Sequence, residues 1–287
     1  MTRPSIGIVT VCFRSMSVLP KMLGSVPKDV PVALVDNAGS DADDGGLAEL
    51  AAQHKAQLIR NDVNQGFGAA CNQGAAVLNT DFFLFLNPDA VLTPGALDAL
   101  LDAADRHPQA SAFNPRIAAP DGTPVFKRTN NLLPRNQRMA RGWPETDAEV
   151  NVLSGAALLV RRDAFEAVGG FDPDIFLYHE DDDLSLRLRD TCGPLIFVRD
   201  ALVTHLEGRS TVRTPETAAL KAWHMGRSRV YATRKHGRPM AGLRAFFLAF
   251  SQLMSPVVLF SKRKRAKQVA LFRGVWSMLR SQNGAGT

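Results

Sequence analysis

Two aspartates follow apolar segments that have the composition of buried β-strands. Asp36 comes directly after the run VALV, and Asp89 follows the run DFFLFL through Asn87 and Pro88. Aspartate and asparagine are common turn formers after a strand, so either site alone is weak evidence. Their recurrence on successive strands would bring acidic side chains together along one edge of a sheet. In open α/β sheets, ligands bind at the edge formed by the carboxyl ends of the strands.

The densest acidic cluster of the chain is Glu180–Asp183. Like charges this close repel one another, which favours a bound cation or a proton acceptor. Leu184 and Leu188 have helical i, i+4 spacing, with Asp181 on the same side. The alternative is an acidic first turn stabilised by the helix dipole. His205 follows the apolar run ALVT, but a lone histidine is more often structural or on the surface.

These residues need a scaffold, and the hydrophobic pattern supplies one. Strands that alternate with helices predict an α/β fold with a doubly wound, mostly parallel sheet, whose ligands bind at the carboxyl ends of the strands. The predicted strands are Ser5–Cys12, Val30–Val35, Gln57–Arg60 and Asp81–Leu86, and the predicted helices are Ser15–Val26, Asp41–Gln53 and Gly66–Leu78.

Composition excludes several classes of protein. The chain has 287 residues, of which 45% are hydrophobic and 22% charged, so collagen-like, disulfide-scaffold and wholly disordered classes are ruled out. Its three cysteines are widely spaced and form no CxxC pair, which predicts neither a disulfide framework nor a zinc site. The first residues lack the pattern of a signal peptide. We therefore expect a cytoplasmic protein.

Charge is divided unevenly along the chain. After Glu216 there are 14 of the 34 basic residues and no acidic ones, so the first 216 residues carry 20 basic against 28 acidic side chains, a net charge of −8. A basic tail on an acidic body predicts a polyanionic partner, such as phospholipid headgroups, nucleic acid or a phosphorylated lipid. The alternative is a tail that only keeps the protein soluble.

The tail also contains an apolar segment, residues 245–260, that is too short and too interrupted to span a bilayer. Arg244 precedes it and Lys262–Arg265 follow it. This pattern favours a helix that lies in the headgroup region of an anionic membrane, so we expect peripheral attachment to the inner face of the cell membrane. A helix that forms a homodimer is the alternative. Few aromatics interleave the tail's cations and the acidic body would repel phosphates, which argues against nucleic acid.

Several motifs in chain order resemble one family. They are the VDN run at 35–37, the run N-x-GFG-x-x-x-N at 64–72, the NPD run at 87–89, SGAALLVRR at 154–162, GGFDPDIFLYHEDDDLSLRLR at 169–189 and HLEGRS at 205–210. Together they resemble the GT-A-fold glycosyltransferases of family 2, in particular the rhamnosyltransferase-like members. The resemblance covers roughly residues 5 to 236.

The resemblance implies a donor site for a uridine or thymidine diphosphate sugar. A carboxylate placed like Asp36 can accept the imide hydrogen of uracil or thymine. Glycines 66 and 68 would let the backbone approach the nucleotide, although Gly68 has an equally good interpretation as a packing glycine at a helix start. The donor-binding set that the motifs imply is Asp36, Asn37, Asn64, Gly66, Phe67, Gly68, Asn72, Asn87, Arg209 and Ser210.

The resemblance also implies a divalent cation, Mg²⁺ or Mn²⁺, held against the donor diphosphate. Asp89 corresponds to the last carboxylate of the family's DxD signature, and His205 to its histidine near the diphosphate. Asn87 stands where DxD has its first aspartate, so one negative charge is missing. We expect weak metal affinity without the nucleotide.

The catalytic base is implied by the family's E-D-x-D pattern. By position that role falls to Asp181, with Glu180 and Asp183 as supporting groups. Asp182 departs from the apolar residue common at the third place, which leaves neighbouring carboxylates open as candidates. The implied reaction is a single displacement in which an acceptor hydroxyl attacks the anomeric carbon and the configuration inverts.

We expect three parts: residues 1–115 as the nucleotide-sugar-binding half, 116–214 as the acceptor-binding and catalytic half, and 215–287 as a helical basic extension. Asp121 and Gly122 predict a hairpin within residues 116–151, and the rest of that stretch predicts a mobile loop or plain disorder. As a loop it could act as a lid, and its cations could meet a diphosphate-bearing acceptor; they are Lys127, Arg128, Arg135, Arg138 and Arg141.

The predicted function is sugar transfer to a glycan or lipid-linked acceptor in cell-surface polysaccharide synthesis, with rhamnose from dTDP-rhamnose as the first candidate. Two alternatives stay open. One is a metal-dependent nucleotidyltransferase that uses Asp36 and Asp89. The other is a non-enzymatic protein that binds membranes or nucleic acid through its basic tail.

Overall fold

The computed structural model describes residues 4–40, 45–206 and 214–281. The chain divides into two compact units. The first comprises Met1–Asp172 and Asp181–Thr211, and the second comprises Pro173–Glu180 and Val212–Thr287.

The first unit is built on one ten-stranded sheet. Eight of its strands lie in the order β3-β2-β1-β4-β9-β6-β10-β5, and β7 and β8 pair with β6 and β10. The strands are β1 Ile6–Cys12, β2 Val32–Asp36, β3 Gln57–Arg60, β4 Phe82–Leu86, β5 Ala90–Leu92, β6 Ala112–Ala118, β7 Pro124–Val125, β8 Ala148–Val150, β9 Ala157–Arg161 and β10 Leu195–His205.

The half of the sheet nearest the N-terminus is parallel. β1 pairs in parallel with β2 on one side and with β4 on the other, and β2 pairs in parallel with β3. All residues of β1 and β4 are buried, because helices cover both faces of a parallel sheet. The carboxyl ends of β1, β2 and β4 therefore lie at one edge.

The other half is mixed. β9 runs antiparallel to both β4 and β6, whereas β10 runs parallel to β6. This insertion places the start of β9 beside the end of β4, where Ala157 is opposite Leu86. The predicted hairpin is present: β6 and β7 pair antiparallel around Gly122, whose φ of +84° suits glycine.

Six α-helices of the first unit cover the two faces of the sheet. Each face has its own hydrophobic core. Residues of α1, α2 and α4 contribute to one core, and residues of α3, α5 and α6 contribute to the other. The bounds are α1 Leu19–Leu23, α2 Leu47–Gln53, α3 Phe67–Ala76, α4 Ala96–Arg106, α5 Arg162–Ala167 and α6 Glu180–Thr191. Glu180, the first residue of α6, belongs to the second unit, whereas the rest of this helix belongs to the first.

Two predicted helices are shorter than expected. The predicted helix over 15–26 is reduced to α1, where Pro20 lies in the first turn and no side chain caps the start. The predicted helix over 41–53 begins only at Leu47, after Gly46 with φ of +89°; residues 41–44 lie outside the described part of the chain. Between β7 and β8, the stretch expected to be a loop contains a 3₁₀ turn at Arg135–Gln137.

The second unit is helical, as predicted. Its helices are α7 Pro215–Lys235, α8 Ala241–Leu253, α9 Val257–Phe260 and α10 Lys262–Arg280. A Cβ on Gly226 would lie 2.6 Å from the carbonyl oxygen of Leu271, so the backbones of α7 and α10 approach at a distance that only glycine permits. Among the described residues, no helix is long and apolar enough to cross a membrane.

Candidate active site

Asp36 is the last residue of β2 and lies opposite Cys12, the last residue of β1. Its Oδ1 accepts a hydrogen bond of 3.1 Å from the Ala38 backbone N–H. Burial, with the negative charge of Asp36 as a second cause, raises the pKa of the Cys12 thiol to about 12. A thiol with a raised pKa is protonated at neutral pH, which disfavours Cys12 as a nucleophile.

Asn37 is buried and ties the loop at 64–66 to the edge of the sheet. Its Nδ2 donates to Asn64 Oδ1 at 2.9 Å and to the Gly66 carbonyl at 3.0 Å. Its Oδ1 accepts from the Gln65 backbone N–H at 2.9 Å and from Asn61 Nδ2 at 3.0 Å. Buried amides with this many partners fix their surroundings. Asn37 and Asn64 therefore hold the loop that precedes α3 beside Asp36.

The helix α3 begins at Phe67, directly after Gly66 with φ of +88°. A Cβ on Gly68 would lie 2.9 Å from the Phe171 side chain, which supports the packing interpretation of this glycine. Asn72 donates from Nδ2 to the Phe171 carbonyl at 2.8 Å and accepts from the Phe171 N–H at 2.9 Å. Phe67 packs edge-on against the ring of Phe171. These residues of α3 thus hold the loop that contains Phe171.

The NPD run forms the turn between β4 and β5. The Asn87 N–H donates to the Ala156 carbonyl at 3.0 Å, and the Asn87 carbonyl accepts from the Ala90 N–H at 3.0 Å. Asp89 is only 3% exposed, and its Oδ1 lies 3.1 Å from Nε2 of His205. The pairing of β5 with β10 explains this contact, because Ala90 is opposite His205. Asp89 and His205, 116 residues apart, meet at one point.

This pair has the donor chemistry of a partial divalent-metal site. A carboxylate oxygen and an imidazole nitrogen suit Mn²⁺, and a hard cation accepts substrate phosphates and waters as its other ligands. Within residues 4–40, 45–206 and 214–281, no group of three or more His, Cys, Asp or Glu side chains forms a complete site. The residues present therefore fit a cation that is held jointly with a diphosphate.

Asp181 lies in the first turn of α6. Its Oδ2 is 2.6 Å from Nζ of Lys127 and accepts a hydrogen bond of 2.9 Å from the Gly155 N–H. Its Oδ1 accepts from the Asp182 N–H at 2.8 Å. The side chain is 18% exposed. It is therefore held firmly and is still accessible to solvent.

The loop before β9 connects Asp181 with the NPD turn. Gly155 contacts Asp181, and the next residue, Ala156, contacts Asn87. Asn114 fixes this loop, since it bonds both the carbonyl and the N–H of Ser154. Asp181, Asp89 and His205 thus lie around the carboxyl end of β4, and Asp36 lies two strands away at the same edge.

The other members of the acidic cluster differ in their surroundings. Asp183 is fully buried and forms an ion pair of 2.7 Å with Arg187, which also donates to the carbonyls of Val168 and Gly170. Glu180 is 8% exposed. Asp182 is 4% exposed and accepts from Asn130 Nδ2 at 2.9 Å. The contacts of Asp183 point to support of the loop at 168–170.

The position of Lys127 beside Asp181 is the main feature of this region that the sequence does not predict. It is expected among the cations of a loop that could meet a diphosphate, whereas the structure pairs it with Asp181 and Asp182, at 2.6 Å from each. Burial disfavours its ammonium group, but the two carboxylates outweigh burial and raise the pKa of Lys127. The only sequence signal for this pairing is opposite charge. Arg209 and Ser210, predicted to bind the donor, lie outside the described residues.

Comparison with known proteins decides the family. Residues 8–169, more than half of the chain, match the family model described as Glycosyl transferase family 2. The chain belongs to this family. It is therefore a family 2 glycosyltransferase, as its motifs predict.

Two relatives come from Mycobacterium tuberculosis. The N-acetylglucosaminyl-diphospho-decaprenol L-rhamnosyltransferase is 32% identical over 93% of this chain and 97% of its own length. The pre-mycofactocin glycosyltransferase is 31% identical over 62% of this chain and 37% of its own length.

Solved structures confirm the GT-A fold of this family 2 glycosyltransferase. The mannosyltransferase PcManGT from Pyrobaculum calidifontis, solved with GDP-Man and Mn²⁺, has a TM-score of 0.57 and 16% identity, over 97% of this chain and 88% of its own. S. aureus TarS, solved with UDP-GlcNAc, also has a TM-score of 0.57 and 16% identity, over 97% of this chain and 92% of its own. At such identities the likeness concerns the fold alone.

Proposed function

We propose that this family 2 glycosyltransferase transfers L-rhamnose from dTDP-rhamnose to a lipid-linked diphosphate sugar, with inversion at the anomeric carbon. The single observation that carries the site is the position of Asp181 beside the turn that bears Asp89, with His205 in contact with Asp89. The sugar and the acceptor are suggested by the mycobacterial rhamnosyltransferase, which aligns with nearly the whole chain.

The donor is proposed to lie along the carboxyl ends of β2, β1 and β4. Asp36 would accept the imide hydrogen of the pyrimidine. A base without an imide hydrogen could not donate this hydrogen bond, so Asp36 would select against it. Asn37 and Asn64 would support that position through the loop before α3. The diphosphate would then reach the turn at Asn87–Asp89.

The cation is proposed to bind between this turn and the diphosphate, with Asp89 and His205 as its protein ligands. When bound, Mn²⁺ or Mg²⁺ stabilises negative charge on the departing nucleoside diphosphate. Two solved relatives of the same fold contain Mn²⁺, which supports the choice of a divalent ion.

Asp181 is proposed to act as the general base. It would take the proton of the acceptor hydroxyl while that oxygen attacks the anomeric carbon and the bond to the diphosphate breaks. General-base catalysis of this kind contributes typically about 10²- to 10⁴-fold in rate. Glu180 and Asp183 would support the cluster, and the ion pair of Asp183 with Arg187 is consistent with such a role.

A thermal-shift panel of UDP, dTDP, GDP and ADP, each with and without Mn²⁺, tests the donor site. We expect stabilisation by the two pyrimidine nucleotides, increased by Mn²⁺, and its loss in Asp36→Asn. Asp29→Asn, on an exposed loop, is the matched control and should bind like the parent protein. A preference for ADP would contradict the assignment of Asp36. Stabilisation by dTTP but not by dTDP would favour a nucleotidyltransferase.

We further propose that the second unit attaches the enzyme to an anionic membrane, where a lipid-linked acceptor resides. On α8 and the residue that directly follows it, four exposed apolar side chains recur at helical spacing: Leu243, Phe247, Phe250 and Met254. Leu259 and Phe260 of α9 are 74% and 87% exposed. We call these six exposed residues the α8–α9 apolar face, a name that refers to their exposure and their position along the chain. Four exposed cations, Lys262–Arg265, follow it at once.

The combination of apolar and basic side chains favours a membrane over a second protein chain. Each cation near an anionic surface contributes about 1 kcal/mol, and the apolar side chains add to this when they insert below the headgroups. Co-sedimentation with vesicles of phosphatidylglycerol and of phosphatidylcholine tests the proposal. We expect binding to the anionic vesicles only, and about tenfold weaker binding for the double variant Leu259→Ser and Phe260→Ser.

Val63→Ser provides the matched control, because Val63 is also exposed (62%) but lies in the first unit. It should leave vesicle binding unchanged. Dimers in light scattering that are lost in the Leu259 and Phe260 variant, together with no vesicle binding, would show that the α8–α9 apolar face joins two copies of the chain.

A further inference from the structure

Lys127 forms the closest charged contacts of the candidate base. Its Nζ lies 2.6 Å from Oδ2 of Asp181 and 2.6 Å from Oδ1 of Asp182. Its side chain is 24% exposed, and that of Asp182 is 6% exposed. Removal of a cation that bridges two poorly solvated carboxylates costs much more than loss of a surface ion pair, because the carboxylate charges are left uncompensated.

The segment around Lys127 is held in place. Asn130 donates to Asp182 Oδ1 at 2.9 Å and accepts from the N–H groups of Leu132 and Leu133. Arg128 Nε donates to the Met139 carbonyl, and the Met139 N–H donates to the Arg128 carbonyl. The ammonium group is therefore delivered to the carboxylates by a folded segment.

The two oxygens of Asp181 are in different states. A carboxylate oxygen has two sites for hydrogen bonds. Both sites of Oδ2 are taken, by Lys127 and by the Gly155 N–H. Within residues 4–40, 45–206 and 214–281, Oδ1 accepts one hydrogen bond, from the Asp182 N–H. One site of Oδ1 thus remains for an acceptor hydroxyl.

We propose that Lys127 is a positioning residue for the base: it fixes Oδ2 of Asp181 and offsets the charge of Asp182, so that Oδ1 receives the acceptor proton. This inference rests on the proposed function. In the step, the acceptor O–H proton passes to Oδ1 as the new bond to the anomeric carbon forms. The bond from that carbon to the diphosphate oxygen breaks, and its electron pair leaves with the nucleoside diphosphate.

The charge of Asp182 makes this role testable. Without Lys127, the two neighbouring carboxylates would lose the ammonium group that bridges them, and their mutual repulsion would tend to change the geometry of the cluster. Removal of the Asp182 charge should relieve that effect, since one of the two negative charges that Lys127 bridges would then be absent. A residue that only filled space would show no such dependence on charge.

Steady-state kinetics of the full chain with dTDP-rhamnose and a short-chain lipid-linked N-acetylglucosamine diphosphate test the proposal. For Lys127→Met we expect kcat to fall about 10- to 100-fold, with the KM for the donor changed less than about threefold. Lys127→Arg should recover most of kcat. The double variant Lys127→Met, Asp182→Asn should recover at least about fivefold over Lys127→Met alone.

Lys28→Met is the matched control, because it removes an exposed lysine far along the chain from the cluster and should leave kcat unchanged. A kcat for Lys127→Met within about threefold of the parent would overturn the inference while the proposed function stands. If Lys127→Met unfolds, the double variant Lys127→Met, Asp182→Asn tests the inference in its place. A double variant that folds but has no measurable transfer would overturn the inference. If the parent chain transfers no sugar, the proposed function fails, and the inference fails with it.

Discussion

The contact between Asn72 and Phe171 yields the sharpest prediction about stability. Asn72 lies in a motif of the family that implies donor binding, yet its amide makes two hydrogen bonds to the Phe171 backbone, at 2.8 and 2.9 Å. Phe171 is 1% exposed. Asn72→Ala would leave both backbone groups without these partners.

The magnitude follows from the two bonds. A typical intramolecular hydrogen bond contributes about 0.5–1.5 kcal/mol, and a buried group left unpaired costs about 1–3 kcal/mol. We expect Asn72→Ala to lower the free energy of unfolding by about 2–3 kcal/mol. For a unit of this size that corresponds to a fall in Tm of roughly 4–12 °C.

Differential scanning fluorimetry gives the shift in Tm, and donor kinetics give KM. Asn79→Ala is the matched control, because Asn79 accepts one exposed hydrogen bond from Arg162 and should lose less than about 1 kcal/mol. We expect the KM for the donor in Asn72→Ala to change less than about threefold. An unchanged Tm with a KM raised tenfold or more would refute this reasoning and show that Asn72 contacts the donor.

Three further predictions concern other parts of the chain. Asp89→Asn should raise the Mn²⁺ concentration needed for half-maximal transfer by about tenfold or more, and a titration that is unchanged would remove Asp89 from the metal site. A Cβ on Gly274 would overlap the backbone of α7, so Gly274→Val should unfold the second unit, seen as loss of helical circular dichroism. Arg273→Val, which introduces the same side chain at the preceding, exposed position of α10, should retain the helices. Burial raises the pKa of Asp147, but hydrogen bonds from Arg106 and the Arg199 backbone outweigh burial and lower it. The charged form of Asp147 therefore stabilises the fold above the ordinary carboxyl pKa, and this stabilisation is lost as the pH falls through the lowered pKa of Asp147. Asp147→Asn should reduce the urea midpoint at pH 7 but not near pH 2. An equal reduction at both pH values would exclude a role for the charge of Asp147.

The sequence predicts the parallel half of the sheet well. Strands β1 and β4 are apolar along their whole length, and such runs between helical segments indicate a strand buried on both faces. Asp36 and Asp89 could be placed at the edge because Asp36 directly follows the apolar run of β2, and Asp89 follows that of β4 through Asn87 and Pro88. The sequence predicts the ends of the helices less accurately. The starts of α1 and α2 are set by Pro20 and Gly46 and not by the point where the apolar pattern begins.

The contacts around Asp181 could not be predicted from the sequence. They depend on β9, which inserts antiparallel between β4 and β6 and carries Gly155 and Ala156 to the end of β4. Pairing between strands this far apart in the chain leaves no local pattern. The partnership of Lys127 with Asp181 depends on the same long-range placement, across 54 residues.

Single-turnover transfer by Asp181→Asn, measured together with its affinity for dTDP, tests the central claim most directly. The account predicts a fall in the transfer rate of at least about 100-fold, with nucleotide affinity within about threefold of the parent protein. A transfer rate within about tenfold of the parent would contradict it, because another group would then have to remove the proton of the acceptor.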